Sequence, residues 1–133
     1  MALTDKQNAK VSAFAATALE PGEQIVAVLG LAMTGPSIMM VALISSWLMF
    51  IQKRWAVVLT DRRVLVIRLK TTLTGYPPKN VDGAYPRASV KATFNHGAIT
   101  GKLVLQAPGR EPMSLSVPRI YESGAEQVAT ALA

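Results

Sequence analysis

From Ile25 to Ile51 the chain runs for 27 residues without a charged side chain, and no other feature narrows its folding options as far. About 20 apolar residues suffice to cross a bilayer, so this run is a span, an interfacial segment or part of a core. It has no basic lead-in and begins too deep in the chain to read as a secretory signal. Gly30, Gly35 and Pro36 divide it. In the first half Ile25, Ala27, Leu29, Leu31 and Met33 share one face at period two, with Val26 and Val28 on the other. That is the pattern of a strand buried on both sides. Gly35-Pro36-Ser37 then opens a helix over 37–51, whose polar members are Ser37, Ser45 and Ser46. A helix apolar nearly all round is buried in a large core, in a partner or in lipid.

The rest of the chain is more ordinary. Its 133 residues make one domain, 1–133. Thr4-Asp5-Lys6-Gln7 reads as a capping box, opening a helix over 1–19 with Val11, Phe14, Ala15 and Ala18 on one face. Lys53-Arg54 closes the apolar run. Trp55–Leu59 and Val64–Leu69 form a hairpin around Thr60-Asp61-Arg62-Arg63. Residues 71–86, with Gly75, Pro77, Pro78, Gly83 and Pro86, read as loop with at most a short strand. Strands follow over 88–94, 102–107 and 113–117, with Asn95-His96-Gly97 and Pro108-Gly109-Arg110 as turns. Ser123-Gly124-Ala125-Glu126 reads as a second capping box, and Tyr121, Ala125, Val128 and Leu132 form one face of a closing helix over 120–132.

The stretch Leu19-Glu20-Pro21-Gly22-Glu23-Gln24, followed by Trp55-Ala56-Val57-Val58-Leu59-Thr60-Asp61-Arg62-Arg63-Val64-Leu65-Val66, resembles the opening of bacterial pleckstrin-homology-like (PH-like) domain proteins. Tyr85-Pro86-Arg87, the paired strands with Gly97 and Gly101, and a terminal helix after Val117-Pro118-Arg119 also suit that family. The resemblance covers about residues 19–133, and Leu59-Thr60-Asp61-Arg62-Arg63 is its sharpest element. It implies a mainly β fold over 23–133: a strongly bent antiparallel sheet, or partly open barrel, capped by the C-terminal helix. The 37–51 helix would then be an insert between strands 1 and 2. Many of these domains have a short loop there, which in eukaryotic members carries a basic phosphoinositide motif. That motif is missing here, so phosphoinositide binding is not implied.

Composition removes several functions. There is no cysteine, which excludes disulfides, thiol chemistry and cysteine-ligated zinc. His96 is the sole histidine and lies in a turn, the eight acids are scattered, and no glycine-rich phosphate loop is present. No catalytic, metal or cofactor site is read, and no small-molecule substrate is inferred. The charge is uneven: between Gln52 and Lys102 ten Lys and Arg face Asp61 and Asp82 alone. Such a surface attracts anionic lipid or nucleic acid phosphates. Aromatic residues are few and fall at core positions, so nucleic acid is the weaker reading.

A membrane accounts for both the charge and the apolar run. In that reading Ile38, Met39, Leu43, Trp47, Leu48, Phe50 and Ile51 supply apolar burial. Lys53, Arg54, Arg62, Arg63, Arg68 and Lys70 contact anionic headgroups, at the cytoplasmic face of the cell membrane. One apolar segment with one basic patch is the two-signal arrangement that makes anchoring stable. The same helix could instead join copies in a homo-oligomer or a larger complex, or fold over the chain's own sheet. A single-pass protein is the third reading, but 15–17 helical residues reach only about 22–26 Å.

Overall fold

A computed structural model describes residues 3–34, 53–73, 75–97 and 100–132; the helix expected over 37–51 lies outside them. Seven strands form one antiparallel sheet: β1 (Ile25–Thr34), β2 (Lys53–Thr60), β3 (Arg63–Leu69), β4 (Pro78–Pro86), β5 (Lys91–Asn95), β6 (Thr100–Gln106) and β7 (Met113–Pro118). Their spatial order is β4-β3-β2-β1-β7-β6-β5. Helix α1 (Leu3–Ala16) precedes the sheet and α2 (Glu122–Leu132) follows it.

The alternation of apolar side chains builds the centre of this sheet. β2 is buried from Arg54 to Thr60 and β3 from Val64 to Ile67, so both faces of the hairpin are covered. α1 packs on β1 and β2 through Val11 and Ala15, while α2 packs on β1, β5, β6 and β7. Leu29, Val57, Leu59, Leu65, Ile67, Leu103, Leu115 and Val128 form the fully buried core. Each such side chain stabilises the fold by about 1.5–3 kcal/mol relative to exposure. β1 and β5 are separated in the order by two strands yet touch one helix, so the sheet curls around α2. It does not close: β4 and β5 remain its edges.

Four local expectations are corrected. Residues 78–86 form a nine-residue strand where loop with at most a short strand was expected, because β3 pairs with it from Arg63↔Pro86 to Leu69↔Pro78, with irregularities between Val66 and Ile67 and between Arg68 and Leu69. Prolines at both ends are tolerated because β4 is an edge strand. The strand expected over 88–94 starts at Lys91, since Arg87–Ser89 form a 3-10 turn in which the Ser89 hydroxyl donates to the Pro86 carbonyl at 2.7 Å. Neither helix begins where its capping box would place it: α1 starts at Leu3, and α2 starts at Glu122 after a 3-10 turn over Arg119–Tyr121. Finally, β1 is buried on both faces only from Leu29 to Met33, and Val26 is 51% exposed.

One glycine is required by close approach. A Cβ on Gly124 would lie 2.4 Å from the Val28 carbonyl oxygen, so α2 can rest on β1 only with a bare backbone there.

Candidate functional site

Three polar clusters stand out on this frame. The first explains the Thr60-Asp61-Arg62-Arg63 turn. Glu23, 7% exposed, accepts a two-pronged contact from Arg63: Nε to Oε2 at 3.0 Å and Nη2 to Oε1 at 2.7 Å. The Thr60 hydroxyl donates to Glu23 Oε2 at 2.6 Å and itself accepts from the Arg62 and Arg63 amides. Asp61 Oδ1 accepts from the Gln24 amide at 3.0 Å, and the Asp61 amide donates to the Gln24 carbonyl. The Arg63 hydrogen bonds hold the Glu23 carboxyl down at about 2, against the opposing effect of burial, with help from Thr60 and the Glu20 amide. This cluster stitches the α1–β1 loop to the β2–β3 hairpin, and Arg63's charge is neutralised in doing so. Arg62 pairs loosely with Glu20 at 3.7 Å, both half-exposed.

The second cluster is around His96. Its Nδ1 meets Glu122 Oε2 at 2.9 Å, its Nε2 meets Glu126, and the Phe94 ring packs edge-on against it. Two carboxylates one helical turn apart raise the imidazole pKa, through the Glu122 hydrogen bond first. The result is a clasp between the β5–β6 turn and the first turns of α2 that favours the protonated imidazole.

The third cluster is the candidate site. It lies at the far end of the β2–β3 hairpin from Arg62 and Arg63, about 20 Å away at 3.3 Å per residue. There the start of β2, the end of β3 and the start of β4 bring Arg54, Arg68, Lys70 and Lys79 around an open cleft of about 430 Å³, with Leu69 and Thr71 also lining it. Arg54 is 6% exposed. Its guanidinium lies 5.0 Å from the centre of the Tyr76 ring, and its Nη1 donates to Thr71 Oγ1 at 3.0 Å. Its Nε is buried without a hydrogen-bond partner. Arg68 lies over Trp55, its cross-strand partner, at 5.0 Å. Trp55 in turn donates its indole N–H to Thr34 at 2.9 Å. Among the described residues none of these four cations forms an ion pair. Residues 35–52 hold no acidic side chain either.

Two further features share this end of the sheet. Leu73 stands fully exposed in the β3–β4 turn, between the cleft residues Thr72 and Lys79. Thr34 pairs with Lys53 in the β1–β2 ladder, so the two described residues that flank 35–52 lie side by side at this end of the sheet.

Of the residues expected to contact an anionic surface, Lys53, Arg54, Arg68 and Lys70 therefore gather at one end and Arg62 and Arg63 at the other. Ile38, Met39, Leu43, Trp47, Leu48, Phe50 and Ile51 lie outside the described residues. Sequence reading missed Lys79 and Leu73. The signal for Leu73 was a lone large apolar residue in a segment read as turn, flanked by threonines and within three residues of Lys70. Among the described residues no helix is long and apolar enough to cross a membrane, and no group of His, Asp and Glu is arranged to hold a metal ion. Compared with protein-family models, curated proteins and solved structures, the chain matches none.

Proposed function

We propose that this chain is a non-catalytic, PH-like binding module that docks on an anionic membrane surface, at the cytoplasmic face of the cell membrane, through the basic end of its sheet. The observation that carries the reading is the meeting, at one end, of three things: four cations without acidic partners, fully exposed Leu73, and the neighbouring ends of the uncharged segment 35–52. Basic residues near an anionic surface contribute about 1 kcal/mol each, and an inserted leucine adds about 1.5–3 kcal/mol. Residues 37–51 supply the larger apolar contact. The Thr34↔Lys53 pairing supports a segment that enters and leaves the bilayer on one side rather than crossing once. The PH-like assignment is supported by the strand order, in which β1–β4 and β5–β7 meet at the β1–β7 contact, and by the helix the sheet curls around.

Co-sedimentation of the full chain with vesicles tests this. The expected result is binding to phosphatidylcholine mixed with phosphatidylglycerol, little binding to phosphatidylcholine alone, and a weakening of about tenfold or more for Leu73→Glu. A protein that ignores both vesicles and runs as a discrete soluble assembly by light scattering refutes the membrane reading. It would place segment 37–51 in an interface between copies instead.

A further inference from the structure

The cleft has more order than general attraction to a negative surface requires. A diffuse electrostatic contact needs exposed lysines on flexible stems; it does not need a buried arginine. Yet Arg54 is held by Tyr76 beneath and Thr71 beside it, with its Nε–H left over, and Arg68 is fixed on Trp55. Two planar forks are thus pre-positioned, and exposed Lys70 and Lys79 add mobile point charges at the rim. Burying a cation without a counter-charge is unfavourable, so the arrangement is one that a bound anion would relieve.

We infer that the Arg54–Arg68–Lys70–Lys79 cleft is a discrete site for a phosphomonoester, holding its dianion. This rests on the docking reading above and names the chemical group the docking face selects. Arginine forks match phosphate oxygens in pairs, while lysine serves as a point charge. A cleft of about 430 Å³ is in the range that takes a small ligand. Selectivity follows from charge. A phosphodiester carries one negative charge, whereas a monoester carries about −1.5 to −2 at neutral pH, with its second ionisation near pH 6. Four cations that form no ion pair among the described residues attract the dianion about twice as strongly at equal distance, since Coulomb energy is linear in charge. Affinity therefore rises as pH rises through about 6, because the ligand gains its second charge there.

The test uses the full chain and two probes. Titration with inorganic phosphate is followed by the ¹H–¹⁵N signal of the Arg54 Nε–H group, with sulfate as a dianion whose charge does not change over the same pH range. Vesicles containing phosphatidic acid are compared with phosphatidylglycerol vesicles matched in surface potential. Saturable phosphate binding that moves the Arg54 signal, strengthens as pH rises through the second ionisation of inorganic phosphate while sulfate binding does not, and weakens about tenfold in Arg68→Gln and in Lys79→Gln is the expected outcome. Both of those residues are at least partly exposed, so their replacement leaves the fold in place. Arg54→Lys keeps the charge and removes the fork, and is expected to reduce phosphate binding as strongly.

Preference for phosphatidic acid identifies a lipid headgroup as the source. Phosphate binding without binding to either vesicle identifies a soluble phosphomonoester, keeps the site and removes the docking reading. Equal binding to both vesicles with an unmoved Arg54 signal overturns the site and leaves docking intact.

Discussion

The Glu23–Arg63 pair offers the sharpest check on the energetics of this fold. Glu23→Gln keeps the shape of the side chain and removes its charge. In the native protein the carboxyl sits at about 2 instead of 4.5. A group whose folded-state pKa is lowered contributes stability that is fully present above the unfolded value and disappears as pH falls through the folded one. Each tenfold difference in proton affinity corresponds to about 1.4 kcal/mol, so the full contribution near pH 7 is at most about 3.5 kcal/mol. Water reaches part of this loop, since the Arg63 side chain is 24% exposed, which brings the expected value to about 2–3 kcal/mol. Urea unfolding of both proteins, followed by tryptophan fluorescence and circular dichroism, measures it. The wild-type advantage should be constant from about pH 7 to 5, shrink between about pH 4.5 and 2, and vanish below. A difference that persists undiminished at pH 2 would refute the assignment, because the loss would then come from packing and not from the carboxylate. If Glu23→Gln does not fold, Thr60→Ala, which removes the 2.6 Å contact, is the milder variant and should follow the same pH course at about half the size.

Two further outcomes follow from other parts of the molecule. The His96 clasp has the opposite sign: its folded-state pKa is raised, so its contribution is complete below about pH 6.5 and is lost as pH rises through the folded value. His96→Gln should therefore be less stable than wild type under mildly acidic conditions, with the difference fading in alkaline buffer; thermal unfolding across that range measures it. Gly124→Ala places a methyl 2.4 Å from the Val28 carbonyl and should destabilise by about 1–3 kcal/mol, seen as a lower urea midpoint with α2 amides exchanging faster than those of β2 and β3.

Much of the architecture was legible in the sequence because its central strands obey simple periods. β2 and β3 are short apolar runs around a polar turn, β6 and β7 alternate, and the buried face of α2 repeats at helical spacing. β4 escaped for a physical reason: an edge strand needs no apolar stripe, and its burial alternates weakly between partial and exposed. The start of α2 was misplaced because Arg119–Tyr121 form a 3-10 turn in which the Glu122 amide donates to the Arg119 carbonyl, so the helix follows a turn instead of opening on a serine hydroxyl. The site was legible as composition but not as geometry. Ten basic residues in one stretch announce a charged face, yet they do not reveal that Arg63 is claimed by a carboxylate forty positions earlier while Arg54 and Arg68 are left without one. Long-range pairing decides which charges stay available, and no local pattern encodes it.

The Thr34↔Lys53 pairing has a consequence for how a chain of this kind can vary. Opposed residues of an antiparallel ladder are about 5 Å apart, so the eighteen residues 35–52 bridge a gap that a two- to five-residue hairpin turn also spans. The closure entropy of a loop grows only with the logarithm of its length, and the difference between eighteen residues and about four is only about 1 kcal/mol. The segment is in that sense a cassette: lengthening, shortening or exchanging it perturbs the sheet's closure little, so its sequence is free to be tuned to whatever surface it meets, while the seven strands keep the arginines at its base in place.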